Sequence, residues 1–414
     1  MSERVTNWAG NIVFGARRMH RPGSVAEVRD IVAGGGPIRV LGSGHSFNRM
    51  ADTEGDLVFL GDLERVAEIS DDRRSVRVDG GIRYGELAAR LHAEGLALHN
   101  TASLPHISVA GAVITATHGS GERNANLAAA VSSVEFIDGT GKDVTLARGD
   151  EGFEGAVVSL GALGVVTALT LDVVPSFEVR QYVFDNVPRA SLDAHLDEML
   201  GDGYSVSLFT NWTSRDISHA WLKRTEPLTA DQWYGGRAAD GARHPVPGMP
   251  ATNSTELGGV PGPWHTRLPH FRMEFTPSSG AELQSEYHVA RADGLAAIDA
   301  VASIREQVAA VLQVCEVRTI AADEMWLSPN YRKDSLALHF TWIADTDAVL
   351  PVVGALEERL APLNAVPHWG KVFTTDPSTV RSRYPRFADF QALVRRYDPD
   401  GTFRNPWLDA ILGS

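Results

Sequence analysis

The sequence contains almost no cysteine. Cys315 is the single cysteine among 414 residues, so the chain cannot form an intrachain disulfide. Cysteine and histidine residues do not cluster at the spacings of a metal site, so we expect no bound metal. A chain without disulfides suits a reducing compartment, and we expect the protein to be cytoplasmic.

Long apolar runs and an excess of basic residues are missing as well. No stretch reaches the ~18 consecutive apolar residues of a transmembrane helix, and we expect no signal peptide at residues 1–5. Acidic residues outnumber basic ones, 52 to 38, which gives a formal net charge of −14. Nucleic acids and anionic membranes are bound by clustered Lys and Arg. We therefore expect neither as a partner, and the chain is expected to be monomeric.

The pattern of apolar residues changes at Pro175. Before it, short strand-like segments alternate with helical ones, such as a helix expected over residues 84–94 and ended by Gly95. After it, the pattern indicates an antiparallel sheet with helices, and residues 225–265 predict an irregular surface excursion because they are rich in Gly and Pro. Strands are expected at 177–184, 204–209, 271–275, 315–320 and 336–342, helices at 190–200, 295–312, 348–360 and 384–397, and an irregular tail beyond 397.

A loop rich in glycine and serine follows the predicted strand at residues 38–41. Residues 42–48 read Gly-Ser-Gly-His-Ser-Phe-Asn, and the backbone N–H groups of such a loop suit phosphate oxygens. A Rossmann fingerprint needs a third glycine and a following helix. Phe47 stands at that third position and no helix pattern follows, which argues against a nicotinamide dinucleotide. A plain phosphate loop also has no need of His45.

Four segments, taken in order, resemble the vanillyl-alcohol oxidase family of flavoproteins. They are residues 39–46, 110–121, 161–166 and 398–406, and together they span nearly the whole chain. The resemblance implies an α+β fold of two domains. An FAD-binding domain would combine residues 1–174 and 375–414, and an antiparallel-sheet cap that binds substrate would comprise residues 175–374.

The resemblance also implies FAD bound covalently through His45, since imidazole is a nucleophile at neutral pH. Residues 100–110 offer no cysteine for a second bond and Cys315 is distant in sequence, so a single link is expected. For His118 and the nearby His106, a purely structural role is an equally open alternative. The other cofactor-binding residues implied are Leu41, Gly42, Ser43, Gly44, Ser46, Ala110, Gly111, Thr117, His118, Gly121, Gly164, Val165, His368 and Asn405.

Segments 101–106, 316–318, 338–342 and 368–371 resemble the alditol oxidases of that family, whose substrates include xylitol and sorbitol. Alternate residues of a strand share a face, so one predicted strand presents Glu316 with Arg318 and another His339 with Thr341. A solvated sheet face is the simpler alternative. Polyols carry a hydroxyl on each carbon and require many fixed donors and acceptors.

The same resemblance assigns roles to these side chains. Arg318 and Lys371 would bracket the terminal hydroxyl, and His339, paired with Glu316, would be the base. The hydroxyls farther along the substrate would be bound by Ser103 and Thr341. The implied reaction is oxidation of a primary alcohol to the aldose, with O2 reduced to hydrogen peroxide.

Three alternatives remain open at this point. The aldonolactone oxidases and dehydrogenases share the His-Trp-Gly-Lys segment at 368–371, and Ala102 occupies the position that the resemblance connects with oxygen access. A flavoprotein could also bind a carbohydrate without turning it over. An NADPH-dependent reductase of cell-wall precursors would share the FAD domain without a covalent bond. The sequence does not rank xylitol, sorbitol, mannitol and glycerol as substrates.

Overall fold

The computed structural model describes residues 5–275 and 279–413 of the chain. Residues 5–175 contain ten strands and four helices. The strands are β1 (Arg18–His20), β2 (Ile38–Leu41), β3 (Asp56–Phe59), β4 (Ala67–Ile69), β5 (Ser75–Asp79), β6 (Leu96–Ala97), β7 (Val131–Asp138), β8 (Asp143–Ala147), β9 (Gly164–Asp172) and β10 (Val174–Pro175). The helices are α1 (Val25–Ala33), α2 (Tyr84–Ala93), α3 (Val109–Ile114) and α4 (Phe153–Val157).

The following part of the chain builds a second set of elements. Its strands are β11 (Glu178–Val187), β12 (Ser205–Thr210), β13 (Ile217–Arg224), β14 (Gln232–Trp233), β15 (Gly236–Ala238), β16 (Gly262–Pro263), β17 (Glu282–Ala290), β18 (Leu312–Ile320), β19 (Ser335–Ile343) and β20 (Val366–Pro367). Its helices are α5 (Arg189–Gly201), α6 (Gly294–Ala302), α7 (Arg305–Ala309) and α8 (Thr346–Leu360), and the tail adds α9 (Pro377–Ser382), α10 (Phe387–Tyr397) and α11 (Pro406–Leu412).

The α+β class is confirmed by the sheets that these strands form. A parallel sheet has the order β1-β3-β2, and an antiparallel sheet has the order β4-β5-β9-β7-β8. A ten-stranded antiparallel sheet is drawn wholly from β11–β20, in the order β14-β15-β11-β13-β12-β18-β19-β17-β20 with β16 on β11. Where the two predicted domains divide, near residues 174 and 375, stays a prediction.

The large sheet has one apolar face and one polar face. Helices α5, α6 and α8 bury Leu192, Ile298 and Leu356 against side chains of its strands, among them Val317 and Leu338. Because neighbouring residues of a strand point to opposite faces, the residues on either side of Val317 and Leu338 point away from the helices. The polar face is therefore free to build a site.

The C-terminal segment returns to the side of the molecule that carries β2 and the glycine-serine loop after it. Ile38 donates its backbone N–H to Thr402, and the buried guanidinium of Arg39 donates to the carbonyls of Leu160, Gly161 and Phe403. These contacts join β2 to two turns that are far apart in sequence.

None of the helices within residues 5–275 and 279–413 is both long and apolar enough to cross a membrane.

Several predicted elements are wrong. Residues 271–275 form no strand; Phe271 makes one isolated bridge to Ser254, and the preceding backbone bonds to Ser103 instead. The helix predicted over 295–312 breaks between α6 and α7, and its last residue begins β18. The tail is not irregular beyond 397, because Asn405 caps α11 and proline opens it, a recognisable signal.

The helix predicted over 84–94 is confirmed as α2, with Gly95 at φ +70° after its end. Residues 225–265 are largely irregular, but they include three short strands. They are also not confined to the surface, because Trp233, Val246 and Trp264 are buried. Strands β13 and β17 had no counterpart among the predicted elements.

Candidate active site

An elongated cleft runs from the glycine-serine loop to the polar face of the large sheet. It encloses about 1720 Å³, counting its opening to solvent. The loop after β2 and helix α3 line one part, and residues of β17, β18 and β19 line another. The sequence predictions for cofactor and for substrate thus fall on one continuous space.

The loop after β2 presents backbone donors to this cleft. Gly44 adopts a left-handed conformation, with φ +72°, and its carbonyl accepts a hydrogen bond from the N–H of Trp8. Asn7 donates to the carbonyl of Ser46, which fixes the other end of the turn. Within the described residues, the N–H groups of positions 43–46 have no acceptor. Free N–H groups on a tight turn form a site for an anion such as a pyrophosphate.

The imidazole of His45 is held without using either ring nitrogen. Its ring stacks on Trp8, with centroids 4.9 Å apart, and both nitrogens are buried without a hydrogen-bond partner in the described part of the chain. Burial lowers the pKa of His45 to about 3, and the nearby His106 adds to the effect. The ring is therefore neutral at pH 7 and keeps a nucleophilic lone pair.

Glu286 on β17 contacts several polar side chains at the end of the cleft that the large sheet forms. Its Oε1 accepts a hydrogen bond of 2.7 Å from Arg318 and lies 3.0 Å from Nε2 of His118, and its Oε2 lies 3.1 Å from Nδ1 of His339. Lys371 Nζ is 3.9 Å from the same Oε2. Burial raises the pKa of Glu286, but the favourable interactions with His118, Arg318 and His339 outweigh it and hold that pKa well below the usual range.

The predicted pairing of His339 with Glu316 is wrong. The two residues are direct cross-strand neighbours, yet His339 contacts Glu286, its neighbour on the other side. Oε1 of Glu316 is bound instead at 2.8 Å by Nε2 of His270. Burial lowers the pKa of His339, and Lys371 lowers it further, so this imidazole is neutral at pH 7 and able to accept a proton.

The two predicted cations both line the cleft wall, Arg318 buried and Lys371 partly exposed. Arg318 NH1 donates to Oγ of Ser103 at 3.3 Å, and Lys371 Nζ donates to Oε1 of Gln284. Burial lowers the pKa of Lys371 to about 8, which leaves it charged at neutral pH. Thr341 Oγ1 lies 3.3 Å from Nε2 of His339. Donors and acceptors therefore alternate along one wall.

Most of the predicted residues line the cleft, but three do not. Gly121 bonds to the backbone of Thr319 on β18, and Val165 points into an apolar core because it alternates with Gly164 and Val166 along β9. Asn405 caps α11 and donates to the carbonyls of residues 49, 50 and 52. The predicted residues that line the cleft are Leu41, Gly42, Ser43, Gly44, His45, Ser46, Ser103, Ala110, Gly111, Thr117, His118, Gly164, Glu316, Arg318, His339, Thr341, His368 and Lys371.

Sequence reasoning missed Gln284, Glu286 and His270. The first two lie on β17, where Glu282, Gln284, Glu286 and His288 alternate with less polar residues. That period of two was a usable signal for a polar strand face. His270 lies in an irregular segment, where no periodicity marks it.

His118, Glu286 and His288 bring ligand atoms within 4.8 Å of one another, close enough for a cation. Arg318 already binds the carboxylate oxygen that faces His118. A metal ion there would meet the guanidinium charge at close range, so we assign the cluster to the ion-pair network.

The comparisons with known proteins agree with these features. Residues 16–147 match the family described as FAD binding domain, and residues 281–411 match D-arabinono-1,4-lactone oxidase. Over 415 residues that cover both chains completely, the chain is 55% identical to an alditol oxidase from a Streptomyces species. It is 30% identical, again over both whole chains, to L-gulono-1,4-lactone dehydrogenase from Mycobacterium tuberculosis.

The similarity of this chain to solved structures is evidence for its fold alone, because the sequence identities are low. Cholesterol oxidase from B. sterolicum matches with a TM-score of 0.80 at 13% identity, covering 99% of this chain and 96% of that one. The two-domain flavoprotein fold and the family resemblance drawn from the sequence are confirmed by these matches. The chain belongs to the alditol oxidase family of FAD-dependent oxidoreductases.

Proposed function

We propose that this protein oxidises the terminal primary alcohol of acyclic polyols such as xylitol and sorbitol to the aldose, while O2 is reduced to hydrogen peroxide. The observation that carries the proposal is the polar wall of the cleft. Ser103, Gln284, Arg318, His339 and Lys371 line the cleft together, and each is held by a neighbour. Such a wall matches a ligand with a hydroxyl on every carbon, because each unpaired polar group is costly.

The charges of this wall suit removal of a hydroxyl proton. His339 is neutral and accepts the proton, and Glu286 stabilises the imidazolium that results. Arg318 and Lys371 favour the developing alkoxide by their charge. Bound FAD would supply the hydride acceptor and the route of electrons to O2. Gln284 and Thr341 orient the remaining hydroxyls.

FAD fits the other end of the cleft. The unpaired N–H groups of residues 43–46 would hold its pyrophosphate, as the family match for residues 16–147 supports. We propose a single covalent bond from His45 to the flavin, because its buried ring nitrogens have no partner in the described chain and its pKa keeps it neutral. Ala110, Gly111, Thr117, Gly164 and His368 belong to the same proposed contact surface.

The same proposal includes the architecture around the site. The FAD domain comprises residues 1–174 and 375–414, and the cap comprises residues 175–374. The protein acts in the cytoplasm as a monomer, with O2 and a polyol as its partners. The C-terminal contacts of Ile38 and Arg39 support a domain made from both chain ends.

A substrate panel tests the reaction. Purified holoenzyme is supplied with xylitol, sorbitol, mannitol, glycerol and two aldonolactones in air, and hydrogen peroxide is measured beside the aldehyde product. We expect peroxide and aldose in equal amounts with polyols. Turnover of the lactones alone would overturn the polyol assignment.

A lactone oxidase or dehydrogenase is the second candidate. It is favoured by the match of residues 281–411 to D-arabinono-1,4-lactone oxidase and by the relative named L-gulono-1,4-lactone dehydrogenase. The lower identity of that relative, 30% against 55%, makes it the weaker candidate. Ala102 lines the cleft beside Ser103. Repeating the panel without O2 but with an artificial electron acceptor separates an oxidase from a dehydrogenase.

A further inference from the structure

A buried lysine that does not line the cleft is connected to its polar wall. Lys223 on β13 is 1% exposed, and its Nζ donates to the carbonyl of Leu268, to the carbonyl of Pro269 at 3.2 Å and to Nδ1 of His270 at 3.1 Å. These acceptors use all three N–H donors of an ammonium group. The lysine is therefore fully satisfied by one short segment, residues 268–270.

This arrangement fixes the tautomer of His270. Burial lowers the pKa of Lys223 to about 7, but the carboxylate of Glu316 can only accept, so Nδ1 of His270 accepts from Nζ of Lys223 and the ring proton lies on Nε2. That nitrogen donates to Oε1 of Glu316 at 2.8 Å. Burial and the neighbouring Lys223 together lower the pKa of His270 to about 4. The ring is thus a neutral link between a buried lysine and a buried carboxylate.

The contact leaves half of Glu316 available. One carboxylate oxygen is bound to His270, and the other, Oε2, faces Nε of Arg318 at 3.6 Å, which is too long for a strong hydrogen bond. Nε of Arg318 has no hydrogen-bond partner in the described residues. His270, Glu316 and Arg318 all line the cleft, so a substrate hydroxyl can accept from Arg318 and donate to Glu316.

The backbone around His270 also positions Ser103. The N–H of His270 donates to the carbonyl of Ser103 at 3.0 Å, and the N–H of Phe271 reaches it at 3.3 Å. The side chain of Ser103 in turn contacts Arg318. One irregular segment therefore holds two of the residues that the cleft offers to a polyol.

We propose that His270 is a positioning residue for polyol binding and that Lys223 holds its ring in place through the hydrogen bond to Nδ1. His270 keeps Glu316 turned so that Oε2 accepts from a substrate hydroxyl, and it acts through Glu316 rather than on the oxidised carbon. This inference rests on the proposed polyol oxidation. It predicts that the pair governs the KM for polyols far more than kcat.

The test compares two substitutions at one position. In His270→Gln the amide nitrogen occupies the place of Nε2 and still donates to Glu316, whereas His270→Asn is too short to reach it. For His270→Asn we expect the KM for xylitol to rise roughly 10- to 100-fold, as for loss of a hydrogen bond to a charged group. For His270→Gln we expect a KM within about threefold of the wild type, which is a small fraction of that loss.

Other readouts separate positioning from a general loss of structure. All measurements use flavin-loaded protein. We expect kcat to change less than about threefold in each variant, because hydride transfer does not involve His270 or Lys223. The flavin content of each variant should equal that of the wild type. Lys223→Met tests the contact from the lysine side, because it leaves the cleft lining intact but removes the hydrogen bond to Nδ1 of His270, and it should raise the KM as well. His92→Asn is the control, because His92 bonds to Ser176 outside the cleft, and it should leave the KM unchanged.

The outcomes also distinguish this inference from the proposed function. If the wild type oxidises polyols and His270→Asn retains the wild-type KM, His270 does not position Glu316 and the inference is overturned. The inference is also overturned if His270→Gln and His270→Asn raise the KM equally, because then only the volume of the imidazole matters. If the wild type turns over no polyol, the proposed function itself fails.

Discussion

Asn48 and Lys371 are joined by a hydrogen bond of 2.9 Å, although they are 323 positions apart in sequence. The side-chain amide of Asn48 donates to the carbonyl of Lys371 and, at 2.7 Å, to that of Trp369, and the N–H of Phe47 donates to Gly370. The loop that carries His45 is thereby fastened to the segment that carries a proposed catalytic cation. The proposed flavin attachment and the proposed substrate activation therefore share one set of contacts.

Asn48→Ala is expected to weaken both flavin attachment and turnover. Two carbonyls lose their donor, which costs about 1–3 kcal/mol where such groups stay buried, and the loop gains freedom relative to residues 369–371. We expect a smaller fraction of covalently bound flavin and a lower kcat, measured on protein loaded under identical conditions. Asn211→Ala is the control, because Asn211 caps a turn and does not line the cleft. Equal flavin content in both variants would contradict the coupling.

His45→Ala is expected to retain FAD but to lose the covalent bond. Acid precipitation of the wild type should leave a yellow pellet, and the peptide spanning residues 40–49 should carry the mass of the flavin. In His45→Ala the pellet should be colourless and the supernatant yellow. His92→Ala, which changes a histidine bonded to Ser176 outside the cleft, should behave as the wild type. A yellow His45→Ala pellet would assign the bond to another residue.

Glu286→Gln removes the charge that holds Arg318 and His339. We expect a loss in kcat of about 100-fold or more, the scale of losing an electrostatic stabiliser, and a loss of stability of about 3–5 kcal/mol from the broken buried pair. Steady-state kinetics and thermal unfolding measure the two effects. Glu357→Gln, which changes a carboxylate bonded to Tyr287 and Thr374 outside the cleft, should lower stability only. A wild-type kcat in Glu286→Gln would remove it from the site.

The pH dependence of turnover should report Lys371. Its pKa of about 8 means that the cation is present below that pH and is lost as the pH rises through it, so kcat/KM should fall on the alkaline side. Burial lowers the pKa of His339, so its neutral form persists through pH 7 and activity should not fall until more acidic pH. In Lys371→Arg, which stays charged, the alkaline fall should disappear from the profile. A fall near pH 8 that is unchanged in this variant would assign it to another group.

Arg318→Ala and Lys371→Ala form a further pair of tests. Both remove a cation from the cleft wall and leave the glycine-serine loop intact. We expect flavin content to be retained and turnover of xylitol to fall by a factor of about 100 or more, since each charge favours the alkoxide. Turnover of Lys371→Ala at the wild-type rate would show that the proposed roles are wrong.

The sequence predicted the strand faces of the site because a strand has a fixed period of two. Glu316 with Arg318 and His339 with Thr341 share faces as that period requires. It did not reveal which carboxylate pairs with His339, because both of its cross-strand neighbours are glutamates and the period of two does not distinguish them.

The residues that sequence reasoning missed have no local signature that assigns them to a site. Glu286 lies on a strand whose alternation is equally typical of a solvated sheet face. His270 and Lys223 are 47 positions apart, and His270 lies in a segment without periodicity. Their contacts arise from the order of strands in the large sheet and from the path of an irregular segment, neither of which a single sequence encodes locally.

Anaerobic mixing of the flavin-loaded protein with xylitol isolates hydride transfer from the polyol to the flavin. The yellow absorption of oxidised flavin should disappear, an equivalent amount of aldose should form, and the colour should return when air is admitted. A flavin that stays oxidised in the presence of xylitol, sorbitol, mannitol and glycerol would contradict polyol oxidation by this protein.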